Sequence, residues 1–185
     1  TIAEACAAAG ADRSGGVKTV DWELKKKILG KPGLVWAKLV VDELDLASII
    51  TPEGLFASWE SHLAKLYPSV VKMKGVVSLL DHGSNNNIPM ALCTSSTSEA
   101  VALKRQNHPE LFDRFSVIVC GDDPELKDGK PSPDIWLLAV SRMCAAGKLD
   151  CLRGIVDEAI MSRCTVFEDS LTGVVSGVAA GCKVV

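Results

Sequence analysis

Polar segments follow three apolar runs in the second half of the chain, and their side chains could together bind a phosphate ester. Thr94 comes directly after the first run, Lys130 lies in a loop after the second, and the adjacent Glu168 and Asp169 follow the third. A hydroxyl and an ammonium group bind phosphoryl oxygens, and carboxylates are the oxygen ligands that Mg²⁺ takes. Because phosphoryl transfer depends on positioning and on charge stabilisation, this combination predicts a phosphoryl-transfer site.

Short apolar runs alternate with helical segments in this half, which indicates β-α-β units and a parallel sheet. The apolar runs cover residues 88–93, 115–120, 164–167 and 183–185, and the helical segments cover residues 99–106, 133–144 and 171–180. Ligands of open parallel sheets bind beyond the carboxyl ends of the strands. We therefore expect the polar segments to meet at one edge of the sheet.

Two helix-start patterns refine this position. Ser96 with Glu99 is typical of a capping box, and Ser132 before Pro133 is typical of an N-cap followed by proline at the first helical position. Free backbone N–H groups at helix starts attract phosphate oxygens. We therefore expect the Thr94 hydroxyl to lie between a strand end and a helix start.

The first part of the chain has a different pattern and predicts a helical domain over residues 1–72. Apolar residues recur at helical spacing between residues 34 and 44, and Thr51 before Pro52 predicts a second helix start. Glycine-rich segments at residues 10–16 and 30–33 predict loops. The α/β pattern covers residues 73–185.

Composition excludes several classes of function. Lysine and arginine total 20 against 23 acidic residues, so a net charge of −3 gives no reason to expect a nucleic acid or an anionic membrane as partner. No apolar run approaches the roughly 18 residues that span a bilayer, and no signal peptide is visible. The seven cysteines include no C-x-x-C pair, which favours reduced thiols and a cytoplasmic location.

Three segments resemble sequence motifs of the haloacid dehalogenase superfamily of phosphohydrolases. Residues 91–96, 129–135 and 166–170 look like its second, third and fourth motifs, and the loop 121–125 is similar to the branch that contains pseudouridine-5′-phosphatase and the glycerol-phosphate and flavin-mononucleotide phosphatases. The resemblance implies a Rossmann-like parallel sheet core over residues 73–185 with an α-helical cap over residues 1–72.

The resemblance also assigns roles to residues. Thr94 and Lys130 become the catalytic hydroxyl and lysine that bind the phosphoryl group, with help from the backbone N–H of Ser95. Mg²⁺ is then held by Glu168 and Asp169. The cap loop with Gly30 and Lys31 would face the substrate, a small phosphorylated metabolite of the sugar, nucleoside or glycerol phosphate type. We expect a monomer.

One motif of the superfamily is not found in the chain. The first motif, an apolar strand ending in D-x-D-G-T, supplies the nucleophilic aspartate of an aspartyl-phosphate route, and no segment of the sequence matches it. We therefore expect a core that is truncated at both ends of the family pattern, with an apolar slot between two unpaired strand edges. This chain alone is predicted to be inactive.

Two alternatives to the phosphatase stay open. A phosphomutase of the β-phosphoglucomutase kind shares the motifs and differs in how the intermediate is resolved. A non-catalytic pseudoenzyme would keep the pocket only for binding phosphate.

Overall fold

The computed structural model describes residues 20–31, 33–151 and 155–185, and the chain divides into two compact units, residues 1–67 and 68–185. The division lies between Tyr67 and Pro68, whereas the sequence pattern placed it between residues 72 and 73. The role of the first unit as a cap stays a prediction.

The described part of the first unit is helical. Its helices are α1 (Trp22–Ile28), α2 (Gly33–Glu43) and α3 (Pro52–Leu66), and a short 3-10 turn follows at Tyr67–Ser69. Helix α3 begins as expected, because the Thr51 side chain accepts a hydrogen bond of 3.1 Å from the Gly54 N–H and proline occupies the first turn.

The first unit has its own hydrophobic core. Val40, Leu46 and Leu55 are fully buried, and Trp36 packs edge-on against Trp59 with ring centroids 5.1 Å apart. Each such side chain stabilises the fold by about 1.5–3 kcal/mol through the apolar surface that it removes from water. The pattern at helical spacing marks the buried face of α2 only from Trp36 onward, because Leu34 and Val35 are exposed.

The second unit alternates strands and helices as the sequence predicts. Its order is α4 (Val76–Asn85), β1 (Ala91–Cys93), α5 (Ser98–Asn107), α6 (Pro109–Phe112), β2 (Val117–Val119), α7 (Asp134–Ala145), α8 (Glu158–Met161), β3 (Thr165–Val166), α9 (Leu171–Ala179) and β4 (Lys183–Val184). The strands are shorter than the apolar runs, since only part of each run pairs with a neighbouring strand. The mixed α/β fold with parallel strands is confirmed.

The strands form two separate sheets. Strand β1 pairs in parallel with β2, with Ala91 opposite Val117, and β3 pairs in parallel with β4, with Thr165 opposite Lys183. Within the described residues no ladder joins β1 to β3. The parallel direction agrees with the sequence prediction, and the core is split into two pairs of strands.

An apolar cavity of about 560 Å³ lies against both sheets. Ala91 and Cys93 of β1 and Thr165 and Val166 of β3 line it, together with apolar side chains of α4, α7 and the segment 149–164, while no residue of β2 or β4 does. The cavity therefore adjoins the edges of β1 and β3 that carry no partner strand. That this cavity is the slot of a truncated core stays a prediction.

The caps of two helices differ from the sequence prediction. Helix α5 is capped by Thr97, which accepts from the Ala100 N–H, because the Ser96 hydroxyl instead accepts from Lys104. Helix α7 starts without a side-chain cap, because the Ser132 hydroxyl donates to Asp134 at 3.0 Å. Both helices begin near the predicted residues with other local hydrogen bonds.

One disulfide joins Cys144, near the end of α7, to Cys151. The prediction of free thiols is wrong for this pair, whose spacing is not of the C-x-x-C type. Cys93, Cys120, Cys164 and Cys182 are free, and Cys6 lies outside the described residues. No helix in the described ranges is long and apolar enough to cross a membrane.

Candidate active site

A buried ion pair between Lys130 and Glu168 joins the two sheets at the carboxyl ends of their strands. The two side chains are only 7% and 8% exposed. The Lys130 ammonium group also donates a 3.2 Å hydrogen bond to the backbone carbonyl of Cys93, the last residue of β1. The lysine therefore contacts the end of β1 and the residue that follows the β3 run.

The Lys130 loop is fixed by a chain of contacts to two helices. The ammonium group lies 4.6 Å from the ring centroid of Trp136 in α7. The Trp136 indole N–H donates to the hydroxyl of Ser176 in α9 at 2.8 Å, and that fully buried hydroxyl donates to the Ser132 carbonyl at 2.5 Å. These bonds hold the lysine by groups that lie far apart in the sequence.

The Glu168 carboxylate is held in its ionised form. Both the N–H and the hydroxyl of Ser170 donate to it, at 3.3 and 3.0 Å. Burial opposes ionisation, but the hydrogen bond and charge of Lys130, with the Ser170 bonds, outweigh it and lower the pKa of this carboxyl below its ordinary value. A Cβ at Gly173 would overlap the Glu168 carboxyl group, so a larger residue at this position of helix α9 would force the carboxylate to move.

Thr94 and Ser95 begin the turn between β1 and α5. The Thr94 N–H donates to the Val119 carbonyl at 3.0 Å, and its half-buried hydroxyl accepts from the Ser96 N–H at 3.1 Å. Ser95 is exposed, and its backbone carbonyl would lie 2.5 Å from a Cβ at Gly121. Lys130 binds the carbonyl of the residue that precedes Thr94. Thr94 and the Lys130 ammonium group therefore lie at the same end of β1.

Asp169 lies beside Glu168 and is exposed. Among the residues that the structure describes, no group of three or more His, Cys, Asp and Glu side chains is arranged to hold a metal ion. The acidic pair offers hard oxygen donors, which suit Mg²⁺ because this ion usually keeps several water ligands. The donor chemistry of this segment therefore fits Mg²⁺.

Gly30 and Lys31 belong to the first unit. Gly30 has φ 74°, a conformation that favours glycine, and it follows helix α1. Lys31 is exposed, and its N–H donates to the Ile28 carbonyl at 3.1 Å. Pro32, the next residue of the predicted loop, lies outside the described residues.

Several residues that support the lysine and the glutamate are not predicted from the sequence. Ser170 was detectable, because a serine before an apolar helix is a common N-cap, and it caps α9 here by accepting from the Gly173 N–H at 3.1 Å. The small residues of α9 predict close packing of this helix, but they do not identify the residues that it packs against. No local pattern pointed to Trp136 or Ser176, since their hydrogen bond spans 40 positions.

A family model described as haloacid dehalogenase-like hydrolase matches residues 2–181 of the chain. The chain is 36% identical over 168 residues to (DL)-glycerol-3-phosphatase 1, mitochondrial, of Arabidopsis thaliana, which covers 91% of this chain and 53% of that protein. It is 34% identical over 176 residues to a protein of Drosophila melanogaster assigned as a pseudouridine-5′-phosphatase, covering 91% of this chain and 67% of that protein. The chain thus spans about half to two thirds of the length of these relatives.

Solved structures resemble the fold over nearly the whole chain. A protein from Thermotoga maritima assigned as a β-phosphoglucomutase superposes with a TM-score of 0.66 at 25% identity, covering 99% of this chain and 76% of that one. A hydrolase of the same superfamily, family IA, variant 3, from Entamoeba histolytica gives a TM-score of 0.68 at 23% identity, covering 99% of this chain and 74% of that one.

Proposed function

Since the chain belongs to the haloacid dehalogenase-like hydrolases, we propose that its second unit is the phosphoryl-binding part of a Mg²⁺-dependent phosphatase. Its substrate is a small phosphorylated metabolite of the sugar, nucleoside or glycerol phosphate type. The proposal rests mainly on the position of Lys130. Its ammonium group binds the carbonyl at the end of β1, directly before Thr94, and is ion-paired with Glu168. The glycerol- and pseudouridine-phosphatase relatives support the substrate class.

Lys130, Thr94 and Ser95 bind the phosphoryl group. The lysine supplies a compact positive charge in a buried place, where attraction to phosphate oxygens is stronger than in water. The Thr94 hydroxyl accepts from the Ser96 N–H, so its own proton is free to reach a phosphoryl oxygen. The exposed Ser95 adds its backbone N–H at the same turn.

Glu168 and Asp169 hold Mg²⁺, which supplies positive charge beside the phosphoryl oxygens. A carboxylate has about four acceptor positions, so Glu168 keeps the capacity to serve a metal while it accepts from Lys130 and Ser170. The exposed carboxylate of Asp169 provides the second oxygen donor. The ion pair keeps Glu168 ionised, which a metal ligand requires.

The nucleophile of the aspartyl-phosphate route is not among these residues. No segment of the 185 residues reads D-x-D-G-T. We therefore propose that this chain, tested alone, binds phosphate without hydrolysing a phosphate ester. The resemblance to a protein assigned as a β-phosphoglucomutase keeps a phosphomutase as the second candidate, and binding without turnover is also what a pseudoenzyme would show.

Gly30 and Lys31 contribute to substrate choice in this proposal. The support is local: Gly30 turns the chain with a positive φ, and the Lys31 side chain is exposed in the first unit. The cytoplasmic location, the monomeric state and the lack of a nucleic-acid or membrane partner stay predictions.

The experiment is calorimetric titration of the chain with inorganic phosphate and with glycerol 3-phosphate, each with Mg²⁺. We expect Lys130→Met to weaken binding at least about tenfold, because one lost charge-assisted contact is worth about 1.5–3 kcal/mol. The exposed Lys127, changed to methionine in the same loop, is the matched control and should bind like the unchanged chain.

The same titration of Thr94→Val tests the site without removing a buried charge. Circular dichroism checks that each variant folds. Equal binding by Lys130→Met and Lys127→Met would contradict the proposal. Release of phosphate from glycerol 3-phosphate by the chain alone, lost in Thr94→Val, would show that the proposed inactivity is wrong.

A further inference from the structure

Two free thiols lie side by side where strands β3 and β4 begin. The strand register places Thr165 opposite Lys183, so the preceding residues, Cys164 and Cys182, are also opposite each other. The Lys183 N–H donates to the Cys164 carbonyl at 3.0 Å, which joins the two strand segments at this point. The Cys164 thiol also donates a 3.4 Å hydrogen bond to the Ile160 carbonyl.

The surroundings of the pair allow small reagents to reach it. Cys164 and Cys182 are half-buried, and both line the 560 Å³ cavity between the sheets. They pack against a cluster of buried side chains that includes Met161 and Ala180. The pair is therefore held in place by packing while it faces an open volume.

The two thiols differ in reactivity. The neighbouring Cys182 thiol lowers the pKa of Cys164 to about 7, against the effect of burial and with help from the charge of Arg163. Cys93 lines the same cavity, but burial raises its pKa to about 12. Because the thiolate is the nucleophile in thiol–disulfide exchange, Cys164 is the attacking residue and Cys93 is not.

We propose that Cys164 and Cys182 form a redox-active dithiol that glutathione disulfide converts to an intramolecular disulfide. The Cys164 thiolate attacks one sulfur of glutathione disulfide, forming a mixed disulfide and releasing one glutathione. Cys182 then loses its proton to solvent and attacks the Cys164 sulfur, which releases the second glutathione. Two protein thiols become one disulfide, and glutathione disulfide becomes two glutathione molecules.

The bond would act on the strand pair that leads to the candidate active site. It would join the residues that precede β3 and β4. At the other end of this pair, the Glu168 N–H donates to the Val185 carbonyl at 3.1 Å. Oxidation would therefore fix the register of β3, which precedes Glu168, against β4.

Trypsin gives a direct test, because it cuts after Arg163 and after Lys183 and leaves both cysteines in one peptide. The reduced chain is incubated with glutathione disulfide, quenched with acid, labelled with iodoacetamide and analysed by mass spectrometry. We expect the peptide 164–183 to lose two hydrogens and take no label, whereas the untreated chain takes two labels. This peptide is separate from those that carry Cys144 and Cys151, so their disulfide does not interfere.

Variants distinguish the two roles. Cys182→Ser should stop the reaction at the mixed disulfide, so the peptide carries one glutathione, whereas Cys164→Ser should show little glutathione on Cys182. Cys93→Ser, the same change in the same cavity, should oxidise like the unchanged chain. Two iodoacetamide labels on peptide 164–183 after treatment of the unchanged chain would overturn the proposal, as would a dependence of its oxidation on Cys93.

Discussion

The pairing of Lys130 with Glu168 illustrates how a buried charge is tolerated in this protein. Removing two charges from water costs several kcal/mol for each ion, and their attraction offsets this only when further hydrogen bonds satisfy both groups. Here Lys130 has the Cys93 carbonyl and Glu168 has Ser170. A buried pair contributes little to stability by itself, and we propose that its position beside Thr94 serves phosphate binding.

The same pair predicts a pH-dependent change in stability. Glu168→Gln should lower the free energy of unfolding by about 3 kcal/mol near neutral pH, because Lys130 is left buried without its counter-charge. The pKa of Glu168 is lowered by folding, so its contribution is present above the unfolded value of 4.5 and is lost as the pH falls through the folded value. Urea unfolding of both chains should therefore give curves that converge in acid.

The exposed Glu99, changed to glutamine, is the control for this measurement and should shift the unfolding free energy little at any pH. A difference between the unchanged chain and Glu168→Gln that grows on acidification would contradict the ion-pair interpretation.

Helices α7 and α9 position the site as whole elements. Helix α7 places Trp136 against the Lys130 ammonium group, and α9 places the Ser176 hydroxyl between Trp136 and the Ser132 carbonyl. The first turn of α9 approaches the Glu168 carboxylate through Gly173. The side chains of the site are therefore oriented by helices that follow the second and third apolar runs.

This close approach predicts a large effect of a small substitution. Gly173→Ala should lower the free energy of unfolding by about 1–3 kcal/mol, because its Cβ would overlap the Glu168 carboxyl group. It should also weaken phosphate binding, since the carboxylate must move away from Lys130. Urea unfolding and titration with inorganic phosphate measure the two effects.

Gly129→Ala is the matched control, because a Cβ at that position meets no atom within 4 Å and its φ is not positive. It should leave the unfolding free energy nearly unchanged. If Gly173→Ala proved equally harmless, Glu168 would not be held against α9 as the structure has it.

At the scale of the whole molecule, the described residues form two units, each with buried apolar side chains of its own. The first unit is built around α2 and α3, with Val40 and Leu55 fully buried. The second unit divides its apolar residues between the cluster at β2 and α7 and the cluster around Met161. The cavity lies beside both clusters, and Trp136 packs against each of them.

An unfilled apolar cavity predicts that a slightly larger side chain stabilises the protein. Ala91→Val should raise the free energy of unfolding by about 0.5–1 kcal/mol, because Ala91 lines the cavity and valine is favoured in strands. Ala159→Val on the exposed face of α8 should give no gain. Thermal and urea unfolding measure both, and a loss of stability in Ala91→Val would mean that this volume is already filled in solution.

The sequence by itself determined the α/β class, the parallel direction of the strands and the order of Thr94, Lys130 and the acidic pair, because these follow from periodicity and from residues adjacent to strand ends. The tertiary structure decided which groups meet. The contacts of Lys130 with Cys93 and Glu168 span 37 and 38 positions, and the thiol pair depends on the register of two strands.

The Cys144–Cys151 disulfide and the choice of Thr97 over Ser96 as cap were not predictable, since each depends on how neighbouring side chains and turns pack. Local patterns describe elements, whereas contacts between distant elements form only when the chain has folded.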